Sequence, residues 1–135
     1  MHNPLSLRLF CLALPLVAGM GHARAQAQPY DCARAGSPTD IMRCEEERLV
    51  AADEILDKEY RRLVRTLHDD PAPQVKAAMR TLIQAQREWI RFRDDDCDAV
   101  WLARPPGALR EWYRLRCKRT HTEVRVEQLG RFRAD

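Results

Sequence analysis

Gln86-Arg87-Glu88-Trp89-Ile90-Arg91-Phe92-Arg93-Asp94-Asp95-Asp96-Cys97 is the stretch whose reading decides the fold. Gln86, Trp89, Arg93 and Cys97 recur at steps of three and four, which places them on one face of a helix. That face should be apolar, yet a glutamine and an arginine stand in line with a tryptophan. Polar groups so placed need partners from elsewhere in the chain. The stretch therefore predicts a helix with polar neighbours on the segments that pack against it.

Working outward, Val75, Met79 and Leu82 extend the same stripe backwards and Val100 extends it forwards, giving a helix over about residues 74–102. Upstream, Ser37-Pro38-Thr39-Asp40 opens another helix. Ser37 suits the N-cap, Pro38 the first helical position, and Asp40 meets free backbone N–H groups three residues on. Met42, Leu49, Ala52, Leu56, Tyr60, Leu63 and Leu67 follow at helical steps, flanked by Ile41, Cys44 and Ile55, until Asp69-Asp70-Pro71-Ala72-Pro73 forbids continuation. Downstream, Arg104-Pro105-Pro106-Gly107 breaks the central helix. A third spans about residues 108–131, with Leu115, Thr122, Arg125, Leu129 and Phe132 on one line and Tyr113, Cys117, His121 and Val124 on another. No segment alternates polar and apolar over a strand's length. The fold class is all-α: a three-helix antiparallel bundle with an N-terminal arm at about residues 26–36 and two disulfides.

Residues 1–25 read as a secretory signal peptide: Arg8, an apolar run over 9–20, then the small-x-small site Ala23-Arg24-Ala25. No cysteine follows directly on the cleavage site, so no lipid anchor is expected. The domain is then residues 26–135, periplasmic or secreted. Once Arg8 and Arg24 have left, 21 basic residues face 20 acidic ones, a balance that gives no reason to expect nucleic acid. The charge is nonetheless uneven, with residues 39–59 netting −5 and residues 104–133 netting +6. Packing those two segments side by side would neutralise both. Four cysteines remain, Cys32, Cys44, Cys97 and Cys117, an even number in a short exported chain, which reads as two disulfides. Without a Cys-x-x-Cys pair or a closely spaced histidine pair, zinc is not expected.

In an antiparallel hairpin, residues equally far from the turn sit level, each helical residue rising about 1.5 Å. With turns centred near Pro71 and Pro105, Asp57, Gln86 and Arg125 come to one height, with Asp53 and Arg93 about one turn away. These five residues form the expected structural polar network. The same count favours Cys44–Cys97, leaving Cys32 for Cys117; Cys32–Cys97 with Cys44–Cys117 stays open.

These pieces resemble the lysozyme inhibitor LprI family. The likeness rests on Cys32 and Cys44, on Asp53-x-x-Leu56-Asp57-x-x-Tyr60, and on Gln86-x-x-Trp89-x-x-x-Arg93-Asp94-x-x-Cys97. It continues in Cys117-x-x-x-x-Thr122-x-x-Arg125-x-x-x-Leu129. It runs over essentially the whole mature chain and implies an exported, disulfide-linked helical domain, some of whose relatives inhibit lysozyme. Position 57 is Asp where the family usually has Asn, and the lipobox cysteine of the family's lipoprotein member is missing here.

Enzyme readings fail on residue supply. His68 and His121 lie on separate helices with no serine or free thiol nearby, and Ser37 is spent as a cap. Glu45-Glu46-Glu47 and Asp94-Asp95-Asp96 are consecutive, so each run fans around its helix, and neither has calcium-loop spacing. No catalytic residue, cofactor or metal is expected. The expected partner is a protein, with a lysozyme as the first candidate. Animal-type lysozymes are cationic, so the acids Glu45, Glu46, Glu47 and Glu54 are the first contact candidates. Trp101 and Trp112, flanking the proline turn, are the second. The alternative is an accessory envelope module without effect on lysozyme.

Overall fold

The computed structural model describes residues 31–132, in which a short 3-10 turn, Cys32–Arg34, precedes three helices: α1 Pro38–Asp69, α2 Pro73–Leu102 and α3 Ala108–Arg131. The residues read as a signal peptide lie outside the described residues. No described helix is long and apolar enough to cross a membrane. The helices begin and end where local chemistry says they should. Ser37 accepts from the Asp40 backbone N–H at 3.1 Å while the Asp40 carboxylate accepts from the Ser37 N–H at 3.3 Å, a reciprocal capping box with Pro38 in the first turn. Pro71 lies between α1 and α2, Pro73 is the first residue of α2, and Pro105, Pro106 and Gly107 separate α2 from α3.

The apolar core sits toward the α1–α2 turn. Leu56, Leu63, Leu67, Leu82 and Leu129 bury one another, with Tyr60, Val64, Val75, Met79, Trp89 and Val126 packed around them. Toward the other end the inward positions become polar or sulfur-bearing: Cys44, Glu45 and Cys97 are all buried, as is Thr122 midway along α3. At that end α1 starts, α2 ends and α3 starts.

The helix that joins the bundle is α3. Its interface with α1 is the most extensive and that between α1 and α2 the smallest. This corrects the disulfide pairing expected from levels alone, in both versions. The bridges are Cys32–Cys44 and Cys97–Cys117, with Cα–Cα separations of 5.7 and 5.6 Å. Counting heights ignores azimuth. With α1 packed on α3, Cys44 does not face α2. The arm instead folds back through Ala35-Gly36-Ser37 so that Cys32 reaches Cys44 only 12 residues away. Cys97, fully buried, meets Cys117 on the neighbouring α3.

Candidate functional site

The polar residues of α2 find their partners mid-bundle, in two stations either side of Trp89. In the first, Arg93 Nη1 donates to Asp53 Oδ1 on α1 at 2.8 Å and to Thr122 Oγ1 on α3 at 3.0 Å, and the Thr122 hydroxyl donates to Asp53 Oδ1 at 3.1 Å. One arginine, one hydroxyl and one carboxylate thus tie all three helices at a single height. In the second, Arg125 Nε donates to Gln86 Oε1 at 2.9 Å and its Nη1 to Gln128 at 3.1 Å. Both guanidinium groups also lie near the Trp89 ring, at 5.4 and 5.7 Å from its centroid. Burial lowers the Arg125 pKa from its ordinary value, as it must for a cation whose strongest partner is a neutral amide. Around the first station, Asp94 bonds Arg93 at 3.1 Å and pairs with Lys118 at 3.2 Å. Burial alone would raise the Asp94 pKa, but Lys118 and Arg93 outweigh it and hold the carboxyl below its usual range.

Asp57 is not part of this arrangement. It sits level with Gln86, as the count expects, but one residue beyond the inward-facing Leu56 and therefore rotated about 100° off the core face. Its carboxylate is exposed and taken by Arg61 on its own helix at 2.8 Å. Asp57 still borders a groove of about 290 Å³ between α1 and α2, shared with Asp53, Tyr60, Gln86, Ile90 and Arg93.

A second correction concerns Glu45, expected on an open acidic face beside Glu46 and Glu47. It is only 2 % exposed and accepts from Arg119 Nε on α3 at 2.6 Å, with Arg48 at 3.7 Å. The hydrogen bond to Glu45, reinforced by Glu123, raises the Arg119 pKa. The sequence carried the signal: Glu45, Leu49, Ala52 and Leu56 are spaced by four, three and four, so Glu45 belongs to the buried stripe and not to the acidic run around it. Glu46, Glu47 and Glu54 are exposed.

The tryptophans at the loop end do not stack on each other across the turn. Trp101 is covered by the Arg110 guanidinium, 3.4 Å from its centroid, and Arg110 Nε also donates to the Trp101 carbonyl at 2.6 Å. Trp112 packs edge-on to Tyr113 with centroids 5.0 Å apart and carries Arg116 at 5.0 Å, while Arg104 lies 3.9 Å from the Tyr113 ring. Sequence reading missed these three arginines; their signal was the interleaving of Arg104, Arg110 and Arg116 with Trp101, Trp112 and Tyr113.

A grouping of metal-type donors occurs at Asp96, Cys97, Cys117 and His121, within 4.8 Å of one another. The two sulfurs are joined in a disulfide, so no thiolate is available and Asp96 and His121, 2.9 Å apart, are left as an ion pair or hydrogen bond.

A family model described as Lysozyme inhibitor LprI matches residues 31–129 of this chain. An uncharacterized protein, R02472, from Rhizobium meliloti (strain 1021) is 30 % identical over 131 residues, covering 93 % of this chain and 88 % of that protein. No solved structure matches.

Proposed function

The chain belongs to the lysozyme inhibitor LprI family, and on that premise we propose that it is an exported helical binding protein that inhibits lysozyme-type muramidases. The observation that carries this reading is the extent of the family match, residues 31–129, which takes in α1, α2, nearly all of α3 and both disulfides. Two bridges in a small domain suit an oxidising compartment outside the cytoplasm, in keeping with residues 1–25 as an export signal. Inhibition by such a protein is a matter of surface. The polar groups in line with Trp89 are spent on one another, so contact with an enzyme falls to outer faces and loops. The exposed candidates are Glu46, Glu47 and Glu54 on α1, and the region of Trp101 and Trp112.

The test is titration of purified, oxidised protein into a lysozyme turbidity assay with several lysozyme classes. Dose-dependent slowing of lysis of at least one class is expected. No slowing at large molar excess against every class would defeat the reading and leave an accessory envelope module in its place.

A further inference from the structure

Most of the positive charge of α3 is neutralised within the protein. Arg114 pairs with Glu111 and Asp98, Lys118 with Asp94, Arg119 with Glu45 and Glu123, and Arg131 with Glu127. Among the described residues, Arg104, Arg110 and Arg116 have no carboxylate partner and lie on aromatic rings instead. Arg104 and Arg110 sit at the end of the bundle where α2 ends and α3 begins, and Arg116 lies about two turns into α3. Arg110 has a structural reason to be there, since it holds a carbonyl of the last turn of α2. Arg104 and Arg116 have only their ring contacts.

The same end displays apolar surface. Leu102 and Leu109, at 67 and 65 % exposure, are the most exposed large hydrophobic side chains described. Beside Leu109, a cleft of about 510 Å³ is lined by Pro38, Pro105, Pro106 and Tyr113, with Arg104 and Arg110 along it. Two successive prolines in the loop that presents these groups fix their own φ, which limits the freedom lost on binding. Arginine, tyrosine and tryptophan around exposed leucines are also the residue types that dominate binding energy in protein interfaces.

We propose that this loop end, centred on Arg104, Leu102, Leu109 and Arg116, is the docking surface for the muramidase and engages its carboxylate-lined substrate cleft. The assignment rests on the inhibitor reading above. Glycoside hydrolases of this kind place a pair of carboxyl groups on either side of the scissile bond, and planar guanidinium groups pair with carboxylates in a way that ammonium groups do not. The exposed acids of α1 also stand near exposed apolar side chains, Val50 and Ile55, but their negative charge is one that such a cleft would repel. Binding there occludes the cleft, so inhibition competes with oligosaccharide.

The experiment compares oxidised wild type with Arg104→Glu/Arg116→Glu, with Leu102→Asp, and with the α1 triple Glu46→Lys/Glu47→Lys/Glu54→Lys, against an animal-type lysozyme in the turbidity assay. Each variant is first matched to wild type by circular dichroism and melting. The arginine pair and Leu102→Asp should each lose inhibitory potency by about tenfold or more, the loss expected for an interface anchor. The α1 triple should change it by less than about threefold, as for a charge outside the contact, and a chitooligosaccharide should compete with wild type for the enzyme. Leu102→Asp leaves the arginines untouched, so it reports even if the charge reversals disturb folding. Wild-type inhibition with undiminished potency in both loop-end variants would overturn the docking surface and leave the inhibitor reading standing. A wild type that inhibits nothing removes both.

Discussion

At the end of the bundle where α1 turns into α2, Leu63, Leu67, Leu82 and Leu129 close on one another, and little else is needed to hold three helices together. At the opposite end the inward positions are Cys44, Glu45 and Cys97, held by two disulfides and a buried ion pair. The first end is closed by burial of hydrocarbon, a force without direction that leaves no polar group exposed to choice. The second is closed by directional and covalent links, and so can leave leucines and arginines outside without falling apart. Arginine shows the difference within one residue type. Arg93, Arg119 and Arg125 are turned inward onto Asp53, Glu45 and Gln86, while Arg104 and Arg116 rest on rings at the surface.

The leucine end is the more sensitive to substitution. Leu63→Ala, at a position only 2 % exposed, should cost about 4 kcal/mol, within the range for large-to-small changes in a packed core. In a domain this small that is enough to lower the melting temperature by well over ten degrees. A loss of under about 1 kcal/mol would mean that this end collapses around the gap and is not closely packed. Next comes Arg119→Ala, which strands the Glu45 carboxylate without its short partner. A loss of about 3 kcal/mol is expected, because removing one member of a buried pair leaves an uncompensated charge. Chemical denaturation of the oxidised variant measures it. A surface-like value below about 1 kcal/mol would put Glu45 back on the open acidic face.

A smaller effect sharpens the middle of the bundle. Lys118 and Arg93 hold the Asp94 pKa below its ordinary value, so the folded state prefers the charged carboxylate more than the unfolded state does. The stability this contributes is fully present above the unfolded carboxyl range and is lost as pH falls through the lowered folded value. Asp94→Asn should therefore flatten the acid side of a melting-temperature profile between about pH 5 and pH 2 relative to wild type. Profiles of the same shape would show that Asp94 is not coupled to the Arg93 station. The effect is modest, since the side chain is 40 % exposed and solvent screens the pair.

Much of this architecture is legible in the sequence because it is written in local chemistry. The Ser37–Asp40 box, the prolines at 71, 73, 105 and 106, and the three- and four-residue steps set helix ends and inward faces without reference to the rest of the chain. Gln86 with Arg125 and Arg93 with Asp53 followed from levels, since long side chains tolerate an error of a turn. Where azimuth mattered, levels failed. Asp57 was at the right height on the wrong face, and the cysteines, with short side chains and strict bonding distance, paired otherwise than height suggested. Which helix packs most closely on which is a property of the assembled surfaces. It made α3 and not α2 the helix that joins the bundle, and it settled the disulfides. Glu45 was legible in the stripe spacing but hidden within a run of three glutamates. The arginines at the loop end could be recognised only once Arg114, Lys118, Arg119 and Arg131 of α3 had been matched to their carboxylates.

The most direct test of this division between inward and outward arginines is thermal unfolding of the oxidised Arg104→Ala/Arg116→Ala protein beside Arg119→Ala. The double variant should melt close to wild type, with a stability change under about 1 kcal/mol, as for exposed cations resting on aromatic faces. A loss as large as that of Arg119→Ala would contradict the account, for it would make the loop-end arginines part of what folds the bundle.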